Sequence, residues 1–296
     1  MSQHDVRTSG KAAVPVSAQT TATGALGQKK KDLLSMNFAE GRKALSPGDD
    51  AVAVAGGKPA LETETVAGTL WAKDKEGKDL DPAPEDVAQG GLCDCFLMAA
   101  LASLANTKPG TIKGMITDNA SNYTVRFAGI GWFSAHTQTV DGNFAKGKRA
   151  NVGPRAALWP LVVEKAYAAE KGGVDVLDKG GNPGEAAKHL TDKGRDFFAP
   201  GSKDGDTVLS KLEGGKTKKA VMTALAPKKT DATEELKKLA DDQGLHFWHS
   251  YAIMDVKVKE RQVKLYNPWG YDHPNGSGWI SVDDLRKFFI EVDING

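Results

Sequence analysis

Two cysteines stand one residue apart in the stretch QGGLCDCFLMAAL, and they are the only cysteines in a chain of 296 residues. Cys93 and Cys95 raise four alternatives: a metal clamp, a redox pair, buried apolar residues, or a nucleophile with a bystander. A zinc site needs further Cys or His ligands at suitable spacing, and the sequence offers none. A disulfide between residues two apart is strained. Nucleophilic chemistry is the alternative that the surrounding residues favour.

A thiol nucleophile requires a lowered pKa, and the position of Cys95 predicts one. The apolar run that begins at Cys95 is typical of a buried helix, and the partial positive charge at a helix N-terminus favours a thiolate. Cys93 lies in the preceding loop and gains less from that charge. We therefore expect Cys95, and not Cys93, to be the nucleophile.

The proton acceptor is expected to be one of six histidines. His249 opens a strand-like stretch, and the hairpin that follows returns the chain to Asn267, whose amide oxygen can fix the imidazole tautomer. Trp269 is placed to cover that hydrogen bond, and His246 is the nearest rival base. His136, His189 and His273 have no motif around them and are expected at the surface.

An oxyanion formed during acyl transfer needs hydrogen-bond donors. Gln89 lies six residues before Cys95 and carries a side-chain amide. Two glycines, Gly90 and Gly91, allow a turn tight enough to bring that amide beside the sulfur. The backbone N–H of Cys95 supplies a second donor.

The elements that must position these residues fall into two halves, which indicates an α+β fold. Residues 1–65 are poor in large apolar side chains and are predicted to be a disordered leader or pro-segment, apart from one short helix over 29–45. Residues 66–200 read as helical, with helices from Cys95, near Pro160 and at 184–192. Residues 201–296 read as strand-rich, after a helix that ends at Gly244.

Composition excludes several classes of protein. The 39 basic residues balance 38 acidic ones, so no nucleic-acid partner is indicated. No apolar run is long enough to span a membrane, and the N-terminus lacks a secretory signal. We expect a protein made in the cytoplasm, with export by a signal-independent route left open.

Four ordered blocks resemble the calpain-type papain-like cysteine proteases: QGGLCDCFLMAALASL, LWPLVVEKAYA, WHSYAIMDV and LYNPWG. The resemblance covers residues 68–296. It implies a helical N-terminal lobe that carries the thiol, a β-rich C-terminal lobe that carries His and Asn, and a protein substrate bound between them. It also implies Cys95 as nucleophile, His249 as base, Asn267 as the orienting group and Gln89 as the oxyanion donor.

The sequence departs from the family at two positions beside the nucleophile, where Cys93 replaces a glycine and Phe96 a tryptophan. Asp86 and Glu164 match carboxylates that the family uses for calcium, so calcium is expected as a structural activator at most, and no cofactor is required for the chemistry. The acidic stretch for a second calcium ion is replaced by YDHPNGSGW, and no EF-hand loop is present.

The resemblance leaves three functions open. The first is a cysteine endopeptidase, and its signal-less leader suggests an exported effector or toxin whose N-terminus binds delivery machinery or an inhibitor. The second is an inactive binding module with the same fold. The third is an acyl transferase or deamidase that uses the same Cys-His-Asn geometry.

Overall fold

The computed structural model describes residues 61–128 and 135–296. Within them, the chain forms helices and antiparallel sheets, as the predicted α+β class requires. The helix predicted over 29–45 lies outside the described residues. No helix of the described part is both long and apolar enough to cross a lipid bilayer.

The helices of the described residues are numbered here in chain order. They are α1 (Cys95–Thr107), α2 (Pro109–Met115), α3 (Trp159–Lys171), α4 (Val174–Leu177), α5 (Pro183–Thr191), α6 (Gly205–Thr217), α7 (Glu234–Gln243) and α8 (Val282–Phe288).

The strands are numbered in the same way. They are β1 (Thr63–Thr65), β2 (Val87–Ala88), β3 (Ile116–Asp118), β4 (Asn122–Phe127), β5 (His136–Asp141), β6 (Asn143–Ala145), β7 (Asn151–Val152), β8 (Arg195–Phe198), β9 (Val221–Leu225), β10 (Ser250–Lys257), β11 (Gln262–Tyr266), β12 (Trp279–Ser281) and β13 (Glu291–Asn295).

Helix α1 begins at Cys95, as predicted, and is buried along most of its length. It carries Ala and Leu on nearly every face, so it packs on all sides instead of presenting one stripe to a core. Helix α3 begins at Trp159, with Pro160 in its first turn, where the missing backbone N–H is not needed. Helix α7 has Thr233 as its N-cap, whose side chain accepts a hydrogen bond from the Leu236 N–H, and ends at Gly244 in the left-handed conformation.

The largest sheet has six strands in the order β12-β11-β10-β9-β13-β8, all antiparallel. The predicted hairpin is its β10–β11 pair, in which Ala252 pairs with Tyr266 and Ile253 with Leu265. A bulge between Ile253 and Asp255 shifts the register further along the hairpin. At the C-terminus, strand β12 is followed by helix α8 and then by strand β13.

Two smaller features of the first half were not predicted. A three-stranded sheet, β3-β4-β5, lies between α2 and α3. Strand β1 pairs with β6 and lies inside the segment 1–65 that was predicted to be disordered. That prediction is wrong for Thr63–Thr65, because these residues gain a strand partner that composition alone does not reveal.

Buried apolar side chains form two clusters. The first draws mainly on residues 70–190 and the second on residues 198–294. Helix α1 belongs to the first cluster but is bonded to the large sheet: the Met222 N–H donates to Ser103 Oγ at 2.8 Å, and Asn106 Nδ2 donates to the Met254 carbonyl at 2.9 Å. The helix that begins at Cys95 is therefore bonded directly to the large sheet. His249 lies immediately before β10, one strand of that sheet.

Candidate active site

The best-defined part of the site is the pair His249 and Asn267, both buried. His249 lies directly before β10 and Asn267 directly after β11. Their side chains are joined by a 2.9 Å hydrogen bond between His249 Nε2 and Asn267 Oδ1. The contact predicted from the hairpin is therefore confirmed.

Two further bonds orient the Asn267 amide. Its Nδ2 donates to the Asp272 carbonyl at 3.0 Å, and the Trp269 N–H donates to its Oδ1 at 3.1 Å. Because Oδ1 is thus the acceptor, His249 Nε2 must carry the proton that it donates. Nδ1 is left as the nitrogen that can take up a proton.

Trp269 lies against the imidazole, as predicted from its spacing. Its ring centroid is 4.8 Å from that of His249 and 4.4 Å from that of His246. His246 Nε2 lies 2.9 Å from the Asp272 carboxylate and not beside an amide. The two histidines thus have different partners: Asp272 for His246 and Asn267 for His249.

Cys95 heads α1 and lies close to Ser250, the residue after His249. The sequence predicts a lowered thiol pKa, but in this structure burial raises the pKa of Cys95 to about 11, although Ser250 opposes the rise. Burial also lowers the pKa of His249 to about 4. Burial thus favours the neutral thiol of Cys95 and the neutral imidazole of His249.

Cys93 differs from Cys95 in both exposure and partners. Cys93 is exposed, and its N–H donates to Asp178 Oδ1 at 2.9 Å. The part of the thiol that is shielded from water, together with the Asp178 carboxylate, raises the pKa of Cys93. Both cysteines are free.

Gln89 is buried in the turn before α1, where its Nε2 donates to the Leu92 carbonyl at 2.7 Å. Its own backbone is held on both sides, since its N–H donates to the Pro268 carbonyl at 2.7 Å and its carbonyl accepts from Asn151 Nδ2 at 3.0 Å. The backbone of Gln89 is thus bonded to the loop that follows Asn267.

The two glycines of this turn are required by close packing. A Cβ atom on Gly90 would lie 1.7 Å from the Arg149 carbonyl oxygen, and one on Gly91 would lie 2.1 Å from the Gly147 carbonyl oxygen. Strand β2 also pairs with β7 just beside them. The segment 147–152 therefore fixes the path of the turn.

Asp86 and Glu164, the two predicted calcium ligands, are both buried and each already has partners. Asp86 Oδ2 accepts from Trp159 Nε1 at 2.8 Å, and Arg155 Nε lies 3.4 Å from Oδ1. Glu164 Oε2 accepts from the Ala150 N–H at 2.8 Å. Among the residues that the structure describes, no group of three or more His, Cys, Asp or Glu side chains could hold a metal ion.

Asp94, the residue before Cys95, was not singled out from the sequence, yet it is fully buried and lies close to Glu164. Burial raises the pKa of Asp94 to about 7, and burial and Asp94 raise that of Glu164. The neighbouring Glu164 opposes the rise at Asp94. Two buried carboxyl groups, Asp94 and Glu164, thus lie close together behind the N-terminus of α1.

Two histidines expected at the surface are not there. His273 is half-buried, and its Nδ1 accepts a hydrogen bond from the Asn267 N–H at 3.2 Å, so it supports the site. His189 is buried against the rings of Phe127 and Tyr167, and burial lowers its pKa to about 4. His189 lies on the buried face of helix α5, beside Ala186 and Leu190, and His273 lies in the loop after β11. His136 is exposed, as expected.

Comparison with known proteins agrees with this geometry. The model of the calpain family of cysteine proteases matches residues 79–281. The chain belongs to this family. The matched region contains Gln89, Cys95, His249 and Asn267, so every proposed catalytic residue of this calpain-family chain lies inside the shared domain.

Curated relatives cover the same part of the chain. It is 28% identical to calpain clp-4 of Caenorhabditis elegans over 233 residues, which are 70% of this chain and 31% of the relative. It is 24% identical to calpain-B of Drosophila melanogaster, over 70% of this chain and 24% of the relative. For the Arabidopsis thaliana calpain-type cysteine protease DEK1 the identity is 27%, over 67% of this chain and 10% of the relative.

The calpain-family chain thus spans about a third or less of the length of these relatives. What they share with it is the protease domain.

Proposed function

We propose that the chain is a cysteine endopeptidase that cleaves protein substrates through a thioester acyl-enzyme. The observation that carries this proposal is the 2.9 Å bond between His249 Nε2 and Asn267 Oδ1, with Cys95 at the start of a helix that packs on the same sheet. The amide fixes the tautomer in which Nδ1 is free to act as a base.

The proposed reaction starts from the neutral pair. The Cys95 sulfur attacks the carbonyl carbon of the scissile bond while His249 Nδ1 takes up the thiol proton. The resulting imidazolium gives that proton to the nitrogen of the leaving amine as the C–N bond breaks. Water then attacks the thioester, assisted by the same nitrogen, and releases the acid and the thiol.

The oxyanion is proposed to be held by the Cys95 N–H and the Gln89 side-chain amide. One Gln89 N–H is bonded to the Leu92 carbonyl. An amide has two N–H groups, and the second is the one assigned to the oxyanion.

A two-lobed, papain-like arrangement is part of the same proposal. The two apolar clusters support it, because one contains most of the helical part that carries Cys95 and the other most of the large sheet. The peptide would then lie between the two clusters.

Calcium as a structural activator is a separate proposal. Asp86 Oδ1 and Glu164 Oε1 are buried oxygens without a hydrogen-bond partner, and such hard donors suit the ion. A bound ion would add positive charge beside these two carboxylates, in competition with Arg155. A calcium-dependent rise in melting temperature that is absent in Glu164→Gln would support it, and an unchanged melting temperature would contradict it.

Digestion of an unfolded protein such as reduced casein, with and without calcium, tests the proposed activity. The full chain is expected to cleave it, Cys95→Ala to lose at least about 10⁴-fold of the rate, and Cys93→Ala to retain most of it. Retained proteolysis in Cys95→Ala would refute the assignment. Modified but uncut chains would favour acyl transfer or deamidation instead.

A further inference from the structure

Trp248, the residue before His249, has an unusual backbone conformation. Its φ is +53°, in the left-handed region that bulky residues rarely adopt. The conformation is held by the hydrogen bonds on either side, from the Trp248 N–H to the Pro227 carbonyl at 2.6 Å and from the Ala226 N–H to the His249 carbonyl at 2.9 Å. Strain of this kind persists where the surroundings impose it, and it is concentrated at functional sites.

The indole of Trp248 is also exposed. The residue is 49% exposed, and Lys228 Nζ lies 4.4 Å from its ring centroid. A large apolar ring, kept half in water by a strained backbone and adjacent to the catalytic base, does not add to the core. It presents apolar surface beside the site.

The chemistry of the site determines which part of a substrate passes this surface. His249 must deliver a proton to the nitrogen of the leaving amine, so that nitrogen has to lie over the imidazole. The chain that continues from the nitrogen is the leaving half of the substrate. It must therefore run past the residues that flank His249.

We propose that Trp248 binds an apolar or aromatic side chain in the leaving half of the substrate and so sets specificity there. This inference rests on the proposed peptidase function. Contact with the exposed indole face favours leaving halves that begin with Phe or Leu over those that begin with Gly.

A matched control exists elsewhere on the molecule. Phe197 on β8 is 46% exposed, and Arg195 Cζ lies 4.3 Å from its ring centroid. Phe197 is thus about as exposed as Trp248 and also has a basic side chain near its ring. It lies on a strand at the edge of the large sheet, in ordinary extended backbone, away from His249.

The experiment uses the full chain and a set of quenched fluorescent peptides that share one acyl half, taken from a cleavage site in casein. The first residue of the leaving half is Phe, Leu or Gly. The wild-type value of kcat/KM is expected to be about fivefold higher for Phe than for Gly. Trp248→Gly and Trp248→Asn, both suited to a positive φ, are expected to bring that ratio close to one, and Phe197→Ala is expected to keep it.

A purely structural role for Trp248 would lower kcat/KM by the same factor for every leaving half. An unchanged ratio in both Trp248 variants, or a wild-type enzyme without preference, would overturn the inference and leave the peptidase function intact. Absence of cleavage by the wild type, or undiminished cleavage by Cys95→Ala, would overturn the proposed function itself.

Discussion

His249 and Asn267 are bonded through their side chains although they do not face each other across the hairpin. The register of Ala252 with Tyr266, continued toward the site, would place Asn267 opposite Tyr251 and His249 opposite Trp269. The 2.9 Å bond therefore runs diagonally between the two strand ends. Diagonal neighbours on a sheet are within reach of long side chains.

We predict that Asn267→Ala lowers kcat/KM by between about 10- and 10³-fold, because the imidazole loses the partner that fixes its tautomer. The hydrogen bond that His249 donates to Asn267 opposes the fall in the pKa of His249, so its loss shifts the acid limb of the pH–rate profile to lower pH. Asn267→Asp keeps the acceptor oxygen and adds negative charge, so it should shift that limb upward. A profile that is unmoved in both variants would contradict the assigned roles.

Trp269→Ala is expected to reduce kcat/KM about tenfold by loosening the position of the imidazole that the indole covers. Tyr271→Ala is the control. Tyr271 is 66% exposed, and its ring centroid lies 6.1 Å from that of Trp269. The Tyr271→Ala variant is expected to keep kcat/KM within about twofold of the wild-type value. Equal losses in the two variants would argue against a covering role for Trp269.

Gly90→Ala is predicted to destabilise the fold by at least about 2 kcal/mol, because its Cβ would overlap the Arg149 carbonyl oxygen at 1.7 Å. Gly110 in α2 has nothing within 4 Å of the same atom, and Gly110→Ala should stabilise the protein by about 0.5–1 kcal/mol. Urea unfolding of both variants measures these changes. An unchanged free energy of unfolding in Gly90→Ala would mean that segment 147–152 can move away from the added methyl group at little cost.

The raised pKa of Cys95 predicts slow alkylation. In Cys93→Ser, where Cys95 is the single thiol, the rate of reaction with iodoacetamide should rise steadily with pH toward the thiol pKa of about 11. A plateau between about pH 4 and 8 would instead indicate a preformed thiolate–imidazolium pair. Such a plateau seen only with calcium would support the proposed activator role.

Stability is expected to fall in mild acid. His189 and His249 both have a pKa of about 4 in the folded protein, below the 6.5 of a free imidazole, so the unfolded chain binds more protons between these values. The contribution of the two neutral histidines to the free energy of unfolding is complete above pH 6.5 and is lost as the pH falls toward 4. Between pH 7 and pH 5 the loss is about 1–2 kcal/mol per histidine. His189→Phe should reduce the loss measured by urea unfolding at these two pH values, and an unchanged loss would contradict the prediction.

Strong local patterns explain which elements could be predicted. The apolar run from Cys95 predicts α1, and the proline in the first turn of α3 predicts the start of that helix. The two strand-like stretches predict the hairpin. The three-stranded sheet could not be read in the same way, since its outer strand β5 is mostly exposed and polar. The register at His249 also escaped prediction, because it depends on a bulge at Ile253 that no residue type marks.

The candidate site divides along the same line. Residue types and order predicted Cys95, His249, Asn267 and Gln89; the structure joins His249 to Asn267 and bonds the Gln89 backbone to Pro268, next to Asn267. The support from His273 comes from a loop that returns the chain to Asn267 after six residues. The pKa of Cys95 and the burial of Asp94 depend on neighbours distant in the chain, Ser250 and Glu164. Such neighbours leave no periodic signal in one sequence.

The hydrogen bond between the Met222 N–H and Ser103 Oγ attaches α1 to the large sheet at one point, about which the helix could rotate. Cys95 lies eight residues before Ser103, which corresponds to about 12 Å along a helix. A rotation of only about 5° around that point would swing the sulfur by about 1 Å, enough to change the rate about 100-fold. The alignment of sulfur and imidazole can therefore be tuned from the rear of the helix, by substitutions that never touch a substrate.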